Sequence, residues 1–176
     1  MLRALYTAYR SIPLLVVLLL LTGCDVSDAQ REFEADAAAP PAGITPTDAD
    51  GNVVGTPDPD DWRSSPLFPS VTVLPAYPNP VPFGFVAPVT IEVSIPFTNV
   101  VAGGLVLLAI DNRPLGRFAV VLDQVPPESV FTLTSLRFTR SDLQVALNLP
   151  DPRGLYRLII RDGSGRLISY GDVRIE

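Results

Sequence analysis

Three observations predict an all-β sandwich of about seven strands across residues 62–176. Short runs rich in Val, Ile, Leu and Phe alternate there with clusters of Pro, Gly, Asn and Asp. Several of those runs alternate apolar and polar residues with a period of two. No stretch of the region carries a long helical pattern. Two packed sheets account for that set of signals, with one face of each strand turned inward.

The elements follow in order. Residues 71–74 form a first strand. Residues 88–95 give the clearest alternation, with Val89, Ile91, Val93 and Ile95 on one face and Thr90, Glu92 and Ser94 on the other. The unbroken apolar run 104–110 predicts a central strand covered on both faces. Asp111-Asn112-Arg113-Pro114-Leu115-Gly116 makes a turn, and 117–122 returns as the next strand. Residues 130–138 alternate weakly, with Phe131, Leu133 and Leu136 expected inward. Ser141 and Asp142 open either a short helix or a strand that ends near Leu149, where Pro150 and Pro152 break it. Strands at 155–161 and 166–175 flank Asp162-Gly163-Ser164-Gly165, a strong hairpin signal.

The chain before residue 62 has a different character. Arg3 and Arg10 precede an unbroken apolar run at 14–21, well short of the roughly 20 residues a membrane span needs. Leu21-Thr22-Gly23-Cys24 follows, and Cys24 is the sole cysteine. Basic flank, short apolar core and small residues read as an export signal over 1–23. The Leu-x-Gly-Cys pattern resembles the lipobox of bacterial lipoproteins. That resemblance implies diacylation of the Cys24 sulfur, cleavage before it, and attachment to a membrane by two or three acyl chains, enough for stable anchoring. The implied address is the bacterial cell envelope. An outer membrane or the cell surface is the expected location, with the inner membrane left open.

Residues 24–61 then read as a disordered acidic tether. They hold ten acids and a single base, Arg31, and few large apolar groups. Such composition lacks the means to build a core. A short helix within 30–39 would be marginal in water by itself. As a coil, the segment would reach roughly 30–40 Å. Asp48-Ala49-Asp50-Gly51-Asn52 has the look of a calcium loop, but its Gly is fourth rather than sixth and no closing Glu follows. A solvated turn is the simpler reading, and no metal or other cofactor is expected.

Composition also bounds the chemistry. Among 176 residues there is no His, and all 13 basic residues are Arg. A Ser-His-Asp triad is therefore impossible for Ser64, Ser65 or Ser135, and so is a Ser-Lys dyad. The acids of the domain sit mostly in turn-like contexts, where Asp serves the backbone. No enzymatic activity is expected. Residues 62–176 hold ten Arg and nine acids, interspersed. That balance gives no basic patch for nucleic acid. Arg113, Arg117, Arg153, Arg157, Arg161 and Arg166 are expected on wet strand faces, with an anion or glycan patch as the alternative. Trp62, Phe68, Phe83 and Phe85 are expected to cover the open end of the core.

Four motifs resemble one family. Tyr77-Pro78-Asn79-Pro80 is similar to the "YPNP" opening of the Ig-like sandwich domains in flagellar hook-capping proteins, shared by the C-terminal sorting modules of type IX-secreted proteins. Residues 89–96 follow its "TTIxYxLP" strand, 105–122 its "VxLxVYDxLGRxVxxL" stretch, and 153–158 its "SGVYxYRL" strand. The stretch 124–150 departs from the pattern. The resemblance implies an Ig-like sandwich and leaves two roles. One is a non-catalytic binding or structural module that meets an envelope protein or a polysaccharide. The other is an adaptor or sorting-type module in secretion or surface assembly. Tyr77–Pro80 would then be either a recognition loop or a rigid turn leading into a strand.

Overall fold

The computed structural model describes residues 24–96, 101–113, 117–128 and 133–176, with the backbone alone for 24–27. The expected signal peptide, including Leu21, Thr22 and Gly23, lies outside the described residues. So do Phe131 and the turn residues Pro114, Leu115 and Gly116.

Two antiparallel sheets face each other. The first has the order β1-β2-β5, formed by β1 (Thr72–Val73), β2 (Val89–Ser94) and β5 (Leu133–Phe138). The second has the order β4-β3-β6-β7. It comprises β3 (Leu105–Asp111), β4 (Phe118–Val125), β6 (Gly154–Asp162) and β7 (Leu167–Ile175). The chain is an all-β sandwich, as the alternation predicts. Helix α1 (Cys24–Ala38) lies before the strands, and α2 (Arg140–Ala146) follows β5. Thr139 caps α2 in a capping box with Asp142, which resolves the choice at Ser141 and Asp142 in favour of a helix.

The core fills the space between the sheets. Val89, Ile91 and Val93 meet Leu105, Leu107, Tyr156, Leu158 and Ile160, all fully buried. Leu143 and Leu147 of the α2 region close one side. In β5 the inward set is Thr134, Leu136 and Phe138, while Leu133 is exposed. The inward assignment of Leu133 is thus corrected: Ser94↔Leu133 is the last pair of the β2–β5 ladder, and the phase is set by Leu136 opposite Ile91.

The second sheet is not wet on its outer face. Phe33 and Ala37 of α1 pack there with Leu108, Ile159, Leu167 and Tyr170. This cover explains why β3 reads as a continuous apolar run: Leu105, Leu107 and Ala109 face the core, and Leu108 faces the helix. The tether expected over 24–61 is therefore ordered from residue 28 onward. Two of its apolar groups, Phe33 and Ala37, fall at helical spacing beside Gln30, so one small stripe suffices when a sheet is present to receive it.

Residues 61–65 then run along the free edge of β7. Trp62 N donates to Tyr170 O at 2.7 Å, Ser65 N to Ile168 O at 2.8 Å, and Ser64 bridges Ser169. Val81 continues the seal, donating to Arg174 O at 2.8 Å and accepting from Glu176 N at 3.0 Å. The strand edge thus has its backbone groups paired within the chain. Trp62 turns its indole into the core over Gly171, where an added Cβ would lie 2.3 Å from the ring. Gly171→Ala is accordingly expected to lower unfolding free energy by about 2–3 kcal/mol in urea titrations. Trp62, the sole tryptophan, supplies the fluorescence signal.

Candidate functional site

The most elaborate polar arrangement in the molecule lies where residues 36–61 meet the outer face of β6 and β7. Arg157 and Asp172 are opposite one another in the β6–β7 register. Both point away from the core and both are almost wholly buried. Arg157 Nε and Nη2 donate to the two Asp172 oxygens at 2.8 and 2.9 Å, a bidentate pair. Arg157 Nη1 donates to Asp36 O at 2.7 Å and Ala39 O at 2.9 Å. It thereby shares the Asp36 carbonyl with Ala39 N and holds the carbonyl of Ala39 just past the end of α1. Its guanidinium stacks 5.0 Å from the centre of the Tyr170 ring.

Asp61 joins this knot from the strap. Its carboxylate accepts from Asp172 N at 2.8 Å and from Thr45 N at 2.7 Å. Burial first, and then the charge of Asp172, push its pKa up from 3.8 to about 7. Tyr170 OH donates to Asp60 at 2.8 Å, and Arg63 reaches Asp36, Asp60 and Tyr170 OH. The Phe33 ring sits 5.1 Å from that of Tyr170.

The Tyr77–Pro80 loop is built into the same knot. Asn79 is fully buried. Its Nδ2 donates to Thr45 O at 3.2 Å and to Asp172 O at 2.8 Å, and its Oδ1 accepts from Arg174 N at 3.1 Å. Its backbone exchanges hydrogen bonds with Thr47. Pro78 is buried, Pro80 is half-buried, and Tyr77 OH donates to Glu92 at 3.0 Å. The peptides before Pro78 and Pro80 are both cis. The loop clasps residues 45–47 to β7.

Other predicted residues fall as follows. Cys24 opens α1, and its side chain is not among those described. Arg157 departs from the expected wet strand face, because α1 covers that face. Arg113, Arg117, Arg153 and Arg166 are occupied locally. Arg153 pairs with Asp151 and Arg166 with Asp162, Arg113 holds Asp151 O and Arg153 O, and Arg117 holds Leu147 O and Asn148 O. Arg161 lines an open trough of about 480 Å³ between α1 and β4, with Glu34, Ile110 and Phe118. Trp62 and Phe68 are core residues and Phe85 packs against the core, but Phe83 is 76% exposed. It sits beyond the β7 end with Val86, 90% exposed, and under the Arg140 guanidinium at 5.6 Å. Asp48 closes its turn on itself, accepting from Asp50 N and Asn52 N at 2.9 Å each. No cluster of His, Cys, Asp or Glu among the described residues is arranged to hold a metal ion. No protein family, curated protein or solved structure matches this chain.

Sequence reasoning missed Asp61, Asp172, Arg157, Tyr170 and Phe33 as one unit. The available signal was the Gln30, Phe33, Ala37 spacing, together with the single acid Asp172 in β7, where a buried strand should be apolar.

Two outcomes follow. Arg157→Ala leaves Asp172 buried without its cation and frees the end of α1. It is expected to lower stability by about 3–5 kcal/mol and to open residues 24–61 to limited proteolysis. Asp61 binds a proton in the folded state up to about pH 7, whereas its ordinary value is 3.8. Its effect on stability is therefore unfavourable with rising pH: stability falls between about pH 4 and 7 and then levels off. Asp61→Asn removes that slope, whatever it does to the baseline, and denaturation across the pH series measures it.

Proposed function

We propose that this chain is an exported lipoprotein, anchored to a membrane of the bacterial cell envelope through Cys24. Its sandwich would serve as a non-catalytic binding or structural module. The observation that carries the reading is the basic flank, the apolar run 14–21 and Leu21-Thr22-Gly23-Cys24 in direct succession. Two acyl chains on one sulfur hold a protein on a bilayer stably, where one does not. No described helix is long and apolar enough to cross a membrane.

The module's role is supported by where its polar groups are used. The knot around Arg157, Asp172 and Asp61 consists of groups that hydrogen-bond each other and the backbone. Exposed apolar groups include Phe83 and Val86 together in a loop, and Phe118 and Val120 on edge strand β4. Exposed aromatic and aliphatic groups of that kind suit contact with an envelope protein or a polysaccharide. An adaptor or sorting-type role would draw on Tyr77–Pro80, but Asn79 is fully buried in the clasp. That burial favours the binding-module reading over an exposed signal.

Intact mass of protein purified from membranes tests the anchor. The expected species begins at Cys24 and carries two or three acyl chains, and Cys24→Ser abolishes both processing and membrane association. A species that retains Met1, or a bare thiol at position 24, overturns the reading.

A further inference from the structure

The direction of α1 has a consequence for how such a protein would sit on its membrane. Gln30 Oε1 accepts from Ser65 Oγ at 2.6 Å, and Ser65 is bonded to Ile168. Phe33 lies on Tyr170. Asp36 and Ala39 are held by Arg157, which pairs with Asp172. The helix therefore advances from residue 30 to residue 36 as β7 advances from 168 to 172, and the two run in the same direction. Cys24 precedes Gln30 by six helical residues, about 9 Å of rise. That places its backbone level with the β6–β7 turn, residues 163–166. The other end of β7 is about 27 Å away across nine residues. There Val81 pairs with Ile175, and the chain continues into Phe83 and Val86.

We infer that the lipidated domain is seated directly on the bilayer headgroups, with the β6–β7 hairpin end facing the lipid and the Phe83–Val86 loop held farthest from it. The inference rests on the lipid anchor proposed above. It replaces a leash with a docked helix: from Cys24 to the first packed side chain the backbone is helical, so little slack remains. Charge disfavours a pose with the helix flank laid on the lipid. Asp28, Glu32 and Glu34 are exposed along the flank of α1, and anionic headgroups repel a face of that sign. At the hairpin end Asp162 is fully buried and paired with Arg166, and Asp25 and the exposed Asp28 lie close to the anchor. Arg161 lies beside Asp162 on β6. The exposed Phe83 and Val86 are consequently presented to whatever lies across from the membrane, not to the membrane itself.

The test uses full-length chain, processed in cells, purified from membranes and reconstituted into phosphatidylcholine vesicles that contain a headgroup spin-labelled lipid. Ser164→Cys and Phe83→Cys each supply one free thiol for a fluorophore, because the Cys24 sulfur is acylated. Circular dichroism verifies that both variants fold. The expected result is strong quenching of the label at 164 and almost none at 83. Phe33→Asp, which unseats α1, is expected to erase that contrast. Protein that floats with vesicles but shows equal quenching at both sites, quenching at neither, or a reversed order overturns the seated pose while leaving the anchor intact. So does a contrast that survives Phe33→Asp. Protein that fails to float overturns the anchor reading itself, and the pose with it.

Discussion

A buried ion pair, Arg157 with Asp172, organises the outer face of this sandwich. Two charges removed from water cost several kcal/mol each unless geometry and further hydrogen bonds compensate. Here they do. The pair is bidentate, the remaining Arg157 donors hold the last carbonyls of α1, and Asp61 accepts the backbone N–H of Asp172. Remove the pair and the end of α1, the strap at 60–65 and the clasp at Asn79 lose a common attachment. Few apolar groups lie in residues 24–61, so the order of that segment depends on this polar network more than on burial of carbon.

The same segment solves a problem that the four-stranded sheet would otherwise have. Its β7 edge would present unpaired N–H and C=O groups, a template for association with other chains. Residues 61–65 and Val81 pair with that edge, and Trp62 passes over it into the core against Gly171. The opposite edge, β4, is managed differently. Its ladder with β3 is broken by two register shifts, and Gln124 adopts a left-handed conformation, so the strand is twisted and irregular where it is exposed.

Much of the sandwich was legible in the residues, for physical reasons. Alternation in β2 reports one buried face, the apolar run of β3 reports two, and Asp162-Gly163-Ser164-Gly165 marks the hairpin because Asp162 accepts from the backbone of both Ser164 and Arg166. Residues 24–61 were not legible as structure. Composition tests for disorder ask whether a segment can build its own core, and this one borrows a core: a stripe of Phe33 and Ala37 suffices against a ready sheet. Arg157 reads as surface because acids and arginines are interspersed around it in sequence, and nothing local announces that a helix covers its outer face. Leu133 reads as inward in phase with Phe131, but Leu136, in the opposite phase, is the residue that faces the core. Phe83 was expected inward with Phe85, two residues apart in a loop with no fixed period. For Tyr77–Pro80 the turn chemistry was readable, but the partners of Asn79 are distant in sequence.

Residue-resolved hydrogen exchange on the folded chain at neutral pH tests the central claim, that residues 28–65 are fastened to the sheet through the buried pair. The account predicts slow exchange at the amides of Thr45, Thr47, Trp62 and Ser65, comparable with the strand amides of β6 and β7, and a collapse of that protection in Arg157→Ala while β2 and β3 stay protected. Exchange at random-coil rates across residues 28–65 in the unaltered chain would contradict it.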